Sequence, residues 1–324
     1  MRRNPCAKSK SKAVDEFALI RRYFDRAKDA TGHRTGVVKG IGDDGAVLAP
    51  SPGTELISVI DTLVEGVHFP SGFNPADIGY RAVAVNLSDI AAMGAEPRWM
   101  TLALSMQTAS DEWLAAFSEG MFAAAAEFDV ALVGGDTTHA SQVVATVQIN
   151  GEVAAGKAIL RSGAQVCDKI YVTGTVGDAA AGLHGLINGN SSKELASRFA
   201  RPSARVGYGR ALVGVASAAI DLSDGLYGDL NKLLAASGVG AKLDIGALPM
   251  SDALREHFTV ERQRGFALGG GDDYELCFTA AGEVPDPGIM SVTAIGSITA
   301  EPGLVCWFDG NVVPYDDTGY RHFQ

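Results

Sequence analysis

Residues 219–226 read Ala-Ile-Asp-Leu-Ser-Asp-Gly-Leu: an apolar lead-in, then two carboxylates and a hydroxyl within four positions, then a glycine. Leu226, Leu230, Leu233 and Leu234 follow at i, i+4, i+7 and i+8, one face of a helix, and Gly238 stands where that helix would stop. The stretch therefore reads as a strand, a tight turn and a helix, with Asp221, Ser223 and Asp224 at the rim of a sheet. A carboxylate at a helix N-terminus caps free N–H groups, which accounts for Asp224 but not for Asp221. Two acids beside a glycine that lets a ligand near the backbone are also half of a Mg²⁺ site, because Mg²⁺ takes hard oxygen ligands and bridges to phosphates. On this stretch alone, capping and metal binding stay open.

The pattern of an acid at a strand end repeats along the chain. Leu56-Ile-Ser-Val-Ile60 is a strand that delivers Asp61 at its end, and Ala131–Val133 is a buried strand running into Gly134-Gly135-Asp136. Between them, Asn74-Pro-Ala-Asp77 opens a mostly apolar helix that ends near Gly94 and carries Asn86 and Asp89 three apart on one face. A helix is expected over 13–30 and another over 110–128, with strands at 101–106 and 143–149. Strands and helices alternate to about residue 150, so 15–150 reads as an α/β domain. Residues 151–324 show strands near 169–174, 242–245, 274–279 and 292–298, helices near 178–188 and after Pro202, and a hairpin at Asp309-Gly310, an α+β domain. The expected fold is thus α/β plus α+β in two domains, and 324 residues suffice for a core in each.

Composition excludes several classes. A net charge of −11 argues against nucleic acid as a partner, which calls for clustered Lys and Arg. No apolar run nears the ~18 residues of a membrane span. Residues 1–14 carry Arg2, Arg3, Lys8, Lys10 and Lys12 with no apolar stretch behind them, so they read as a disordered basic tail and not a signal peptide. Cys6, Cys167, Cys277 and Cys306 form no C-x-x-C pair, the usage of a reduced, cytoplasmic protein, and three are expected in the core.

Two motif matches fail on context. Gly40-Ile-Gly42-Asp-Asp-Gly45 fits G-x-G-x-x-G, but a dinucleotide loop opens a helix and would not set two acids against a pyrophosphate. Gly151-Glu-Val-Ala-Ala-Gly156-Lys157 nearly spells a P-loop, but Ala158 stands where a Ser or Thr must hold Mg²⁺, and the reading preferred is a hairpin turn with Lys157 in solvent. What remains is Asp44, Asp61, Asp89, Asp136, Asp221 and Asp224, nearly all beside glycine, at strand ends or on an apolar helix. Any one could be a turn acid. Six gathered at one sheet edge would repel unless cations neutralised them, which a metal-clamped polyphosphate would explain.

Gly42-Asp-Asp44, Asp61-Thr-Leu-Val-Glu-Gly-Val-His68-Phe69, Asn86-Leu-Ser-Asp89-Ile-Ala-Ala-Met-Gly94, Gly134-Gly-Asp136, Asp221-Leu-Ser-Asp224-Gly-Leu and Gly270-Gly-Asp272-Asp-Tyr-Glu-Leu276 together resemble the thiamine-monophosphate kinase family. That family lies within the aminoimidazole-ribonucleotide-synthetase-like superfamily, and the likeness runs in order through residues 15–324. The resemblance implies the two-domain superfamily architecture, a homodimer joined through the N-terminal sheets, and ATP-dependent phosphorylation of thiamine phosphate by in-line transfer without a phosphoenzyme. It implies Asp44, Asp61, Asp89, Asp136 and Asp221 as Mg²⁺ ligands, with Asp224 on a further ion. Gly135, Asp136, Arg161 and Ser223 match positions that bind ATP, and His68, Asp272 and Tyr320 match positions that bind thiamine phosphate. Read from residue chemistry, Arg161 can pair a phosphate and Tyr320 can stack on a heteroaromatic ring, although a Tyr near a chain end also serves in surface packing and His68 beside Phe69 could be a core histidine. One departure stands out: Val59 and Ile60 occupy positions where the family carries hydroxyls, leaving only backbone carbonyls there to meet a metal. The rivals are another ATP-using superfamily member, such as selenophosphate synthetase, and a nucleotide- or metal-binding regulator without catalysis. Selenophosphate synthetase calls for a reactive Cys in the glycine-rich N-terminal loop, and Cys6 lies far from Gly42.

Overall fold

The computed structural model describes residues 16–25, 36–190, 192–286 and 288–315; the expected tail at 1–14, Cys6 and Tyr320 lie outside them. The strands are β1 (Val37–Lys39), β2 (Val47–Leu48), β3 (Thr54–Val64), β4 (Glu96–Met106), β5 (Ala131–His139), β6 (Val144–Ala154), β7 (Lys169–Thr173), β8 (Ala218–Asp221), β9 (Gly240–Asp244), β10 (Leu276–Ala280), β11 (Val292–Thr299), β12 (Gly303–Phe308) and β13 (Asn311–Val312). The helices are α1 (Glu16–Leu19, continued by a π-helical turn over Ile20–Phe24), α2 (Pro75–Ala92), α3 (Asp111–Ala126), α4 (Asp178–Asn188), α5 (Lys193–Ala200), α6 (Val206–Ala211), α7 (Leu226–Ser237), α8 (Asp252–His257) and α9 (Val260–Gly269). Both failed motifs fail here as expected of their context: residues 41–45 bend between the antiparallel β1 and β2 with no helix behind them, and Lys157 lies exposed in a turn leaving β6. That turn does not join a hairpin, since β6 leads out of its sheet toward β7.

β3-β6-β4-β5 form one sheet and β13-β12-β9-β11-β7-β10-β8 another. In the first, β4 and β5 run parallel around the α3 crossover while the other pairs are antiparallel. Its strands alternate: Ile57, Leu63, Leu102, Leu104, Val147 and Ile149 are buried, while Leu56 and Ile60 on the opposite face are 51% and 64% exposed. α2 begins as its sequence specifies, with the Asn74 side chain accepting from Ala76 N–H at 2.9 Å and Pro75 in the first turn. It is buried nearly all round, because it packs against both sheets, and its apolar residues belong to a core that also takes in Ala219, Leu276 and Phe278 of the second sheet. A second core, with Leu226, Leu230, Leu233 and Leu234 of α7, sits against the larger sheet as the leucine spacing requires. Of the cysteines among the described residues, Cys277 and Cys306 are buried and Cys167 is exposed.

α2 and α3 touch backbone to backbone. A Cβ on Gly120 would lie 1.8 Å from the Ala76 carbonyl oxygen, and one on Gly79 would lie 2.1 Å from that of Phe117. Gly120→Ala should therefore destabilise the chain by about 1–3 kcal/mol or more through helix displacement, read as a fall in the denaturant midpoint. An unchanged midpoint would show that the two helices part at no cost.

Candidate active site

Three carboxylates meet where α2 passes between the sheets. Asp89 lies on α2, Asp61 on β3 and Asp221 at the end of β8, near enough that the charges of Asp61 and Asp89 act on one another and on Asp221, while the neighbouring Ser88 hydroxyl donates to the Tyr274 carbonyl at 3.5 Å. Asp61 is not at a strand end as expected: β3 continues to Val64, so Asp61 sits inside the strand opposite Val147. It falls in the row of Ile57, Leu63 and Val147, the face turned toward the helices.

Burial and mutual repulsion decide the electrostatics. Asp89 is pushed up to about 7, first by burial and then by the charge of Asp61, with Arg161 pulling the other way. Burial and then Asp89 push Asp221 well above the ordinary range, and burial also raises Asp61, with Asp224 adding to it. A carboxyl whose folded pKa lies above the ~4 of the unfolded chain holds an extra proton when folded, so its contribution to stability is complete below about pH 4 and is lost as the pH rises through about 7. The melting temperature of chelator-treated protein should accordingly fall between pH 5 and pH 8, and Asp89→Asn should flatten that fall. An equal slope in the variant would place the titrating group elsewhere.

A cavity of about 690 Å³ opens beside these acids, lined by Asp61, His68, Ser223, Asp224, Asp272 and Tyr274, among others. His68 Nδ1 accepts the Val64 N–H at 3.0 Å, so the neutral ring carries its proton on Nε2 and is a donor there. Asp224 does not cap α7. The residue before the helix is Gly225, and the N–H groups of Ser223 and Asp224 both donate to Asp229 Oδ2 at 3.0 Å. Asp224 instead faces Lys232, whose Nζ lies 2.6 Å from its Oδ2 and 2.8 Å from Asp229 Oδ1.

Asp44, Gly135 and Asp136 lie elsewhere, on a second cavity of about 920 Å³ that Ile20, Arg21 and Phe24 also line. The six acids therefore do not gather at one sheet edge within a single chain. β3 and β5 are opposite edges: Asp61 pairs with Val147, Val147 with Leu102 and Leu102 with Gly135, three strand spacings or roughly 14 Å. Asp136 also falls in the row of Ala103 and Thr146, on the face turned away from α2 and α3. Asp136 is moreover inside β5, which runs on to His139, and not beyond a strand end. Sequence reasoning passed over Ser88, Asp229 and Lys232, whose link to the site comes only from tertiary packing; Ser88 adjoins Asp89 in the chain, which was the available signal.

Among the described residues no three His, Cys, Asp or Glu side chains form a closed metal cage; Asp61, Asp89 and Asp221 form a chain of acids instead. Their chemistry nonetheless fits Mg²⁺: the donors are hard carboxylate oxygens, held near one another and short of counter-charge. Among the described residues no helix is long and apolar enough to cross a membrane.

Known proteins share this sequence and fold. Residues 42–154 match the N-terminal domain of AIR synthase related protein and residues 166–305 its C-terminal domain. The thiamine-monophosphate kinase of Salmonella typhimurium is 47% identical over 330 residues, covering 96% of this chain and 99% of that protein. The crystal structure of thiamine-monophosphate kinase from Stenotrophomonas maltophilia superposes with a TM-score of 0.83 at 43% identity over 92% of this chain and 98% of its own. AaThiL complexed with AMPPCP and TMP does so with a TM-score of 0.77 at 30% identity, covering 95% and 97%. Likeness in sequence from end to end, in both domains and in fold leads to one conclusion: the chain belongs to the thiamine-monophosphate kinase family, among the AIR-synthase-related proteins.

Proposed function

We propose that this chain transfers the γ-phosphoryl group of ATP to thiamine phosphate, giving thiamine diphosphate and ADP by direct in-line displacement. The observation that carries this is the Asp61–Asp89–Asp221 chain of acids bordering a cavity that also holds His68, Ser223 and Asp272, in a member of this family. Asp44, Asp61, Asp89, Asp136 and Asp221 are the residues to hold Mg²⁺, and Asp224 to hold a further ion. Mg²⁺ held there would supply neutralisation of the charge carried by the phosphates. Asp44, Asp89 and Asp221 are the acids placed closest to the transfer.

The side chains do the positioning. Gly135, Arg161 and Ser223 meet ATP, and the Arg161 guanidinium can pair a phosphate in two places. His68 donates from Nε2 to the acceptor phosphate, while Asp272 and Tyr320 hold the rest of thiamine phosphate. Catalysis is by alignment and electrostatics, with no covalent adduct on the protein. Val59 and Ile60 of β3 offer no side-chain oxygen, so at these positions only a backbone carbonyl would be left to meet a metal.

The working unit is a homodimer in which Asp44 and Asp136 of one protomer complete the Asp61–Asp89–Asp221 site of its partner. Two features support this: the roughly 14 Å between the sheet edges of one chain, and the exposed Leu56 and Ile60 on the uncovered sheet face. A cytoplasmic location fits the free thiols of Cys167, Cys277 and Cys306.

Incubation with ATP labelled at the γ-phosphate tests the chemistry. Label should appear in thiamine diphosphate and none should remain on acid-quenched protein. Label bound to protein at a level matching the enzyme would contradict direct transfer.

A further inference from the structure

Besides Asp89, α2 carries a buried cation that takes no direct part in the transfer. Arg81 is 1% exposed, its guanidinium lying 4.4 Å from the Phe199 ring centre and 5.4 Å from that of Tyr274. Nη1 donates to the Phe199 carbonyl at 2.5 Å, Nη2 donates to Asp272 Oδ1, and Nε is buried with no hydrogen-bond partner among the described residues. A buried cation needs a counter-charge, and the carboxylate that supplies it, 28% exposed, lines the cavity beside His68 and Ser223.

The backbone bearing that carboxylate is unusual. Asp272 has φ +73° and Tyr274 φ +51°, a left-handed region that residues other than glycine seldom hold. The Asp272 N–H donates to Ser223 O at 2.9 Å and the Tyr274 N–H to Leu222 O at 2.8 Å, which ties this turn to the Asp221–Asp224 motif. Tyr274 Oη also lies 3.4 Å from Asp272 Oδ1. Oδ1 is therefore taken by groups on the protein, and among the described residues Oδ2 has no hydrogen bond. One oxygen is anchored and the other is left to a ligand.

We propose that Arg81 is a positioning residue for thiamine phosphate: gripped between two aromatic rings, it pins Oδ1 of Asp272 and so presents Oδ2 to an N–H donor of the ligand's aminopyrimidine. This rests on the assignment of Asp272 to thiamine phosphate made under the proposed function. Because α2 also carries Asp89, the same helix then sets the acceptor substrate in register with the acids that serve the transfer.

A two-residue cycle tests it. Asp272→Asn should raise the KM for thiamine phosphate about tenfold; Arg81→Met should do the same with the KM for ATP within about twofold and kcat within about threefold. The double variant should also stand about tenfold up, and not about a hundredfold, because both changes remove one interaction. Arg81→Lys keeps the charge but lacks the planar fork that reaches both the Phe199 carbonyl and Asp272 Oδ1, so it should raise the same KM by about threefold with an unchanged melting temperature. It decides the matter if Arg81→Met does not fold. A wild-type KM for thiamine phosphate in either folded Arg81 variant, or effects that multiply in the double variant, would overturn the proposal while leaving Asp272 as a substrate contact. A wild-type KM in Asp272→Asn would overturn the substrate assignment itself, and with it any role for Arg81 exerted through Asp272.

Discussion

Asp221→Asn is expected to lower kcat by about 10²–10⁴-fold while the metal-free protein at pH 8 melts no earlier than the wild type. The first half follows from losing a carboxylate oxygen at a site where charge must be neutralised for phosphoryl transfer. The second follows from burial: Asp221 and Asp89 are both raised because neither readily takes a charge beside the other, so the ionised pair is a cost to the fold at high pH. Asparagine keeps the shape and a side-chain oxygen in place, and removes that cost. Steady-state kinetics with a thermal melt in chelator read both halves. A variant that is inactive because it has unfolded, or one that is folded and turns over normally, would each contradict the role given to Asp221.

The second large effect concerns the division of the acids between two cavities. Asp61→Asn and Asp136→Asn should each leave less than about a hundredth of wild-type activity as homodimers, by the loss of one charged stabiliser. Coexpressed with different tags, they should recover activity. In a twofold dimer each mixed pair carries one site with both substitutions and one with neither, so random pairing restores about a quarter of wild-type turnover. Recovery confined to the doubly tagged fraction would support a site shared between protomers. No recovery in a purified mixed dimer would mean that Asp61 and Asp136 serve one chain's own site, against the spacing of β3 and β5.

Much of this was legible in the sequence where local physics decides. Asn74-Pro75 placed the start of α2, the leucine spacing placed the buried face of α7, and Asp309-Gly310 placed the turn between β12 and β13 with φ of +50° and +77°. The extent of β3 was not legible, because Asp61 and Thr62 look like the end of a strand until β6 pairs with them as far as Val64. α8 and α9 went unread, their apolar residues being too few to show a period, and each is held by packing against its neighbours. For the site, the acids themselves stood out by their company of glycines. Which of them meet did not, since that depends on strand order, and a sequence of adjacent elements does not reveal that β3 and β5 end on opposite edges. Asp224 shows the same limit: its position promised a cap, but Asp229, one turn into α7, reaches back and takes both N–H groups. Arg81 gave no signal as a lone cation in an apolar helix until Asp272, 191 positions away, came beside it.

The central claim is a kinase reaction on thiamine phosphate, and quantifying thiamine diphosphate and ADP together tests it most directly. With thiamine phosphate, ATP and Mg²⁺, the two products should form in equal amounts, and formation should stop on chelation and resume when Mg²⁺ is restored. ADP released without thiamine diphosphate, or thiamine diphosphate formed at full rate after exhaustive chelation, would contradict it.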